Sequence, residues 1–255
     1  MVNITPEVDP PELTLNYDSI IAEATGTVPL GIEMALVNPA LGEEQGSLLI
    51  TGVPDNLTLS HGTREGSVYV VDVEDVGSLS IASGYNGAQT FTLAIEGEAS
   101  LDNQSATSPF ETLEVVLAEV GETEFTATAG TDSFVFQTNG LGSADTPTVD
   151  TIIDFDVAKD TDVIDLEEIF TNLNIVISDG SSAENYLTLA EQGNDVELLI
   201  NTDKANDPDA EVVNQKIVLR DITLDQLYGT SSADATQAEL LQKMIDDNNL
   251  NVPTS

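Results

Sequence analysis

The sequence predicts a mainly β protein: an antiparallel β-sandwich followed by a carboxylate-rich β domain that closes in a helix. Three observations carry this reading. Short segments of alternating apolar and polar residues, separated by turn signals, fill the chain up to about residue 120. Beyond about residue 125 the loops between similar segments gather aspartates. Only near the C-terminal end do apolar residues fall at helical spacing.

In the first half the alternating segments are Leu13-Thr14-Leu15, Leu57-Thr58-Leu59, Val68-Tyr69-Val70, Leu79-Ser80-Ile81, Phe91-Thr92-Leu93 and Leu113-Glu114-Val115. Gly42, Gly52 with Pro54, Gly62, Gly77, Gly84 with Asn86-Gly87, and Gly97 punctuate them. Strands at this spacing, without a helical period, argue for a sandwich. Pro10-Pro11 fits an extended entry into it. A hinge at Ala118–Thr123, marked by Gly121, divides the chain into domains 1–121 and 122–255.

In the second half Phe134–Phe136, Thr151–Phe155, Asn174–Ile177, Tyr186–Leu189, Val196–Ile200 and Lys216–Leu219 read as strands joined by acidic loops. Thr236-x-x-Glu239 is a capping box, and Ala238, Leu241, Met244 and Ile245 share the helical face that follows. Asn248-Asn249 stops that helix, and Leu250-Asn251-Val252 forms a final strand or a tail.

Composition narrows the function. The 255 residues, 40% of them hydrophobic, suffice for packed cores, and with no tryptophan these are built from Val, Leu and Ile. The formal net charge is −40, from 46 acidic and 6 basic residues. Such self-repulsion opposes a compact state unless counter-ions bind. Either specific cations occupy carboxylate loops, or the surface is acidic throughout, as in a salt-adapted protein. Nucleic acid and anionic membranes are disfavoured as partners, because no basic patch exists to release their counter-ions. The absence of cysteine excludes disulfides and thiolate metal sites. No apolar run reaches the roughly 18 residues of a membrane span. Met1–Glu7 has neither a basic nor an apolar leader region, so an export address, if there is one, lies elsewhere.

The aspartates are the candidate ligands. Gly130-x-Asp132-x-Phe134 fits half of a calcium-binding β-roll repeat, with Ala127 and Thr128 where that repeat has glycines. Asp150-x-Ile152-x-Asp154-Phe155-Asp156 and Asp162-x-Ile164-Asp165-Leu166 follow. Carboxylates one or two residues from buried apolar positions suit a hard cation such as Ca2+, which takes six to eight oxygens. Asp203, Asn206, Asp207, Asp209 and Glu211 make the loop Asn201–Glu211 a second oxygen-rich segment, without the glycine or flanking helices of an EF-hand. A solvated acidic hairpin tip is the alternative there.

Catalysis has no comparable support. His61, the single histidine, lies in Ser60-His61-Gly62-Thr63-Arg64 without a nucleophile elbow, and reads as a surface loop residue. Arg64 and Arg220 are too isolated for phosphate binding. A glycosidase pair needs a defined separation that 46 acids do not single out. The chain therefore reads as no enzyme.

The ordered motifs from Asp150 to Leu166 resemble the C-terminal domain of proteins exported by type I secretion. The chain departs from that family at Glu167-Glu168-Ile169-Phe170, where a serine often follows the leucine. The resemblance continues through Leu198–Asp203, through Ile217-Val218-Leu219 with Ile222–Leu227 (a closing strand and turn), and through Leu240–Leu250, which is similar to the terminal secretion segment. In the first half Glu23–Leu30, Ile50–Pro54, Leu57–Thr63 and Gly84–Leu93 resemble the immunoglobulin- or cadherin-like modules of repeats-in-toxin (RTX) adhesins. The loop Asn38–Ser47 departs, offering Gly42-Glu43-Glu44-Gln45-Gly46 in place of an Asp-rich loop.

These resemblances imply an Ig-like sandwich, then a Ca2+-assisted β-roll or sandwich-like domain. Asp9 and Glu23 would help hold Ca2+ near a domain junction. They imply a monomeric, non-catalytic part of a secreted bacterial surface adhesin serving adhesion or biofilm formation. Its expected partners are the type I secretion machinery, neighbouring adhesin modules and a cell-surface glycan or peptide. A sugar- or peptide-binding module, and the secretion tail of an exported enzyme or toxin, are the alternatives.

Overall fold

A computed structural model describes residues 8–23, 26–37, 45–83, 87–101, 104–119, 121, 124–143, 145–157, 161–205, 212–229 and 231–254. The protein is mainly β, with 45% strand against 17% helix spread over several sheets. It divides into two compact units. The first comprises Met1–Ile20, Gly26–Tyr85 and Gln89–Val116; the second comprises Ile21–Thr25, Asn86–Ala88 and Leu117–Ser255.

The strands of the first half are β1 (Glu12–Leu15), β2 (Ser19–Glu23), β3 (Gly26–Pro29), β4 (Ile32–Ala35), β5 (Gln45–Thr51), β6 (Thr58–Leu59), β7 (Thr63–Glu65), β8 (Val68–Asp72), β9 (Ser80–Ser83), β10 (Gln89–Leu101), β11 (Gln104–Thr107) and β12 (Glu111–Ala118). Within the first unit the main sheet runs β12-β10-β5-β8-β7, with β11 also paired to β10. Small sheets β3-β9-β6 and β1-β4 accompany it. β5 pairs antiparallel with both β10 and β8, as in Ile95↔Ile50 and Leu48↔Val71. Strict alternation fixes that register. Leu48 and Ile50 of β5, Leu93 and Ile95 of β10, and Leu113 and Val115 of β12 are fully buried, while their neighbours point outward. Sliding any one strand by a residue would turn its whole apolar set to water. Gly52 takes φ 89°, and a Cβ there would collide with the Thr92 carbonyl, so only glycine fits the end of β5.

The second unit is built differently. Its strands are β13 (Glu124–Thr126), β14 (Asp132–Val135), β15 (Thr148–Ile153), β16 (Val163–Asp165), β17 (Leu187–Gln192), β18 (Asp195–Ile200), β19 (Gln215–Leu219) and β20 (Leu250–Asn251). One sheet has the order β13-β15-β19-β18-β17, with β13, β15 and β19 mutually parallel. In the other, β20, β16 and β14 are parallel, and β14 is flanked on its far side by β2. Every residue of β14 and β16 is buried. Parallel strands covered on both faces read as continuous burial and not as alternation.

Helices α1 (Glu167–Asn172), α2 (Gly180–Ala183), α3 (Leu224–Tyr228) and α4 (Gln237–Asp246) complete this unit. Thr236 caps α4 reciprocally with Glu239, and Leu240, Leu241 and Met244 are buried beneath it. Gln237 covers the edge of β17: its Oε1 accepts from the Leu189 N–H at 2.8 Å and its Nε2 donates to the Leu189 carbonyl at 2.9 Å. Side-chain pairing of this kind blunts an otherwise open strand edge. No helix among the described residues is long and apolar enough to cross a membrane.

Two sequence expectations need correction. Asn174–Ile177 is not a strand. Asn174 takes φ 56°, and the Ile175 and Ile177 amides donate to Phe170 and Pro253, so alternation persists without a ladder partner. The segment Leu224–Leu227 is not a turn but the core of α3, capped by Thr223 with Gln226. Parts of the expected hinge and of the loops Asn38–Ser47 and Asn201–Glu211 lie outside the described residues.

Candidate functional site

Four aspartates of the second unit are buried: Asp132, Asp150, Asp162 and Asp165. Their places follow from the topology, since two of them stand on β14 and β16, where both faces are covered. A buried carboxylate must find donors or a counter-charge. Asp162 finds backbone: its Oδ1 accepts from the Asp132 amide at 3.0 Å and its Oδ2 from the Asp156 amide at 2.8 Å. The Asp162 amide donates back to the Asp156 carbonyl, closing the acidic loop on itself. Both Asp132 oxygens are engaged by Thr128, through its amide at 2.6 Å and its hydroxyl at 2.8 Å. Asp165 Oδ1 accepts from the Glu167 amide at 2.9 Å, at the start of α1.

Desolvation dominates the electrostatics. Burial pushes Asp162 up to about 6, with its two backbone donors pulling the other way and the charges of Asp132 and Asp156 adding to the rise. Burial likewise pushes Asp165 up to about 6, against the Glu167 amide and the Asn251 side chain. Holding such groups ionised at neutral pH costs free energy that a bound cation would offset.

The remaining predicted ligands are scattered. Asp154 is exposed with φ 62°, a left-handed position that aspartate tolerates better than most residues. Asp156 is half-buried beside Asp162, and Asp203 is half-buried in a 3-10 turn, Asp203–Ala205. Asp9 belongs to the first unit and Glu23 to the second. Asp207 and Asp209 lie outside the described residues. The aspartate motifs are thus neighbours, and the oxygens of Asp132 and Asp162 accept from backbone amides and from the Thr128 hydroxyl. Among the described residues, no three carboxylate or histidine side chains come together as a metal cluster.

A cavity lies elsewhere in the same unit. Glu23, Phe134, Gln137, Gly140, Asp150 and Gln215 are among its lining residues, and its volume of about 10 Å3 for a water-sized sphere fits a single small occupant. Gln215, only 2% exposed, donates from Nε2 to Asp150 Oδ2 at 2.7 Å, while its Oε1 is buried without a hydrogen-bond partner. Glu23 Oε1 accepts from the Gly121 amide at 3.1 Å. Burial pushes Asp150 up to about 6, opposed by the Gln215 hydrogen bond and reinforced by the nearby charge of Glu23. Sequence reasoning missed Gln215. The available signal was a glutamine on the same face as Ile217 and Leu219, a polar residue in a period-two apolar row.

No protein-family model matches the chain, and no curated protein matches it. Among solved structures it is similar to the crystal structure of the periplasmic chaperone SfaE, at 10% identity and a TM-score of 0.25, over 42% of this chain and 58% of that one. A likeness this slight carries no argument about fold or function.

Proposed function

We propose that the chain is the C-terminal part of a large secreted bacterial adhesin of the RTX type. In this reading an Ig-like module precedes a Ca2+-assisted, β-roll or sandwich-like secretion domain, and the whole is non-catalytic. The observation that carries the reading is the burial of Asp132, Asp150, Asp162 and Asp165 in one unit of a chain with net charge −40. The residues fit the ion chemically. Their side-chain donors are oxygens, as Ca2+ prefers, and a buried amide oxygen, Gln215 Oε1, lies unpartnered near two carboxylates. Asp154, Asp156 and Asp203, being exposed or half-buried, are the loop residues that would hold ions, with Asp132, Asp162 and Asp165 bracing the loops through their amide contacts.

Bound Ca2+ would supply counter-charge to acidic loops that otherwise repel one another. Where Ca2+ is scarce the second unit stays loosely folded and competent for export by type I secretion. Outside the cell Ca2+ binds the native state and draws folding forward. Extracellular sites of this kind bind at about 10⁻⁴–10⁻³ M. Each then adds only roughly 0.4–1.4 kcal/mol at millimolar Ca2+, so several sites act together. Once folded, the module serves surface adhesion, with a glycan or peptide as its target.

Calorimetric unfolding in EDTA and in millimolar CaCl2, with matched NaCl and MgCl2, tests the calcium step. A Ca2+-specific rise in Tm is expected, and an equal response to every salt would remove calcium from the reading. Deletion of the region after Gly229 tests export; normal secretion of the truncated chain would sink the secretion role.

A further inference from the structure

We propose that the cavity bounded by Glu23, Asp150 and Gln215 is a binding site for one divalent cation, Ca2+, separate from the aspartate loops. The inference rests on the oxygens left over once the protein's own hydrogen bonds are counted. Asp150 uses Oδ2 to accept from Gln215, and among the described residues no group donates to its Oδ1. Gln215 spends its Nε2 on that bond and leaves Oε1 buried with no partner. Glu23 uses Oε1 for the Gly121 amide, and its Oε2 lies where a Cβ on Gly140 would come within 3.3 Å. Two carboxylates, Glu23 and Asp150, and the amide of Gln215 therefore line one small cavity, together with Gln137 and, among the described residues, no lysine, arginine or histidine.

The amide orientation is not arbitrary. Turning Gln215 over would set its oxygen against Asp150 Oδ2, so the carboxylate itself directs Oε1 away. An orphaned buried acceptor beside an acidic pair is a costly arrangement unless a positive species completes it. Two carboxylates match the charge of a divalent ion. The cavity volume of about 10 Å3 leaves no room for a hydrated shell. That selects against Mg2+, which retains its waters and demands octahedral geometry, and in favour of Ca2+, which accepts mixed carboxylate and amide oxygens. The three donors come from far apart in the chain: Glu23 from β2, Asp150 from β15 and Gln215 from β19. An ion there would tie these three strands together.

This site goes beyond the calcium-loop reading, because it needs only the cavity. The test is equilibrium dialysis of the full chain against 45Ca2+, with and without excess Mg2+, on the wild type, Glu23→Gln and Gln215→Glu. Glu23→Gln keeps an acceptor for the Gly121 amide and is expected to fold. It should bind one Ca2+ fewer, or bind that ion at least tenfold more weakly. Gln215→Glu places a third carboxylate in the cavity; its Tm should fall below wild type in EDTA and rise further than wild type on adding CaCl2, a gain that misfolding does not imitate. Wild-type binding with both variants unchanged would overturn the cavity site and leave the loops standing. A single ion in the wild type, lost in Glu23→Gln, would keep the cavity and remove the loops. No Ca2+ bound by the wild type would overturn both, and equal displacement by Mg2+ would overturn the assignment of the ion.

Discussion

The two units solve the same problem, many carboxylates and few bases, in opposite ways. In the first, antiparallel strands bury one face, and alternation sends the acids to the other: Glu96, Glu98 and Glu114 are half-buried, Glu12, Glu33 and Asp72 exposed. Every fully buried carboxylate among the described residues lies in the second unit. There the parallel strands β14 and β16 have no solvent face. Carboxylates in that setting become interior acceptors for backbone amides. Acidity alone therefore says little about where a cation is needed; sheet type decides it.

The largest test separates the two cores. Leu241→Ala in α4 and Ile50→Ala in β5 each remove a fully buried side chain, at a cost of about 2–5 kcal/mol. In a two-transition calorimetric scan, each substitution should lower its own unit's transition and spare the other. If both shift one common transition, the units are not independent and the comparison fails.

Next in size is the loss of an interior acceptor. Asp162→Ala strands the Asp132 and Asp156 amides, at about 1–3 kcal/mol for each left without a partner. Glu111→Ala on the exposed surface of β12 should change stability by less than about 0.5 kcal/mol. Urea denaturation of both variants in EDTA checks this, and equal costs would show that the Asp162 contacts carry no weight.

A pH series sharpens the contrast. Asp150, Asp162 and Asp165 titrate near 6 in the folded chain, against about 4 when unfolded. Between those values the folded state holds protons that the unfolded chain has released. Their contribution is therefore fully present below about pH 4 and is lost as pH rises through 6. In EDTA the second unit should melt higher at pH 4.5 than at pH 7.5. A flat or rising profile would mean that the three carboxylates are well compensated at neutral pH. The smallest effect is at a cap: Thr236→Ala should cost the α4 end about 1 kcal/mol, measured by amide exchange in that helix.

How much could be read beforehand follows the same division. The alternation around Leu93 and Leu113 was legible because one-sided burial writes itself as a period of two, whereas in β8 burial falls on Tyr69 and Val71 and leaves Val68 and Val70 half-buried. So was the Thr236–Glu239 box, whose partners stand three residues apart. Ser19–Ala22 of β2 was missed because it is buried without interruption and shows no period. Thr223 and Gln226 have the spacing of the same cap, yet five helical residues are too few for periodicity to stand out. The aspartates were visible as candidates, but their use as amide acceptors depends on loop closures such as Asp156 to Asp162 that no local pattern encodes. Gln215 and Glu23 meet at one cavity only through the sheet order.

The parallel pairing of the second unit also sets a timetable. Thr148 must find Gln215, and Ile164 must find Leu250, before the parallel pairings of either sheet exist. Such pairings repay the entropy of closing a long loop only after it is closed, and folds dominated by them assemble in milliseconds to seconds. Both units contain quicker steps, such as the hairpins that join Glu65 to Val68 across Gly66 and Gln192 to Asp195 across Gly193. A chain emerging unfolded would therefore pass through a period with hairpins formed early and the parallel C-terminal pairings still open. Slowness of this kind is written into the connectivity, and it would hold the terminal helix and strand available for handling whether or not any ion is present.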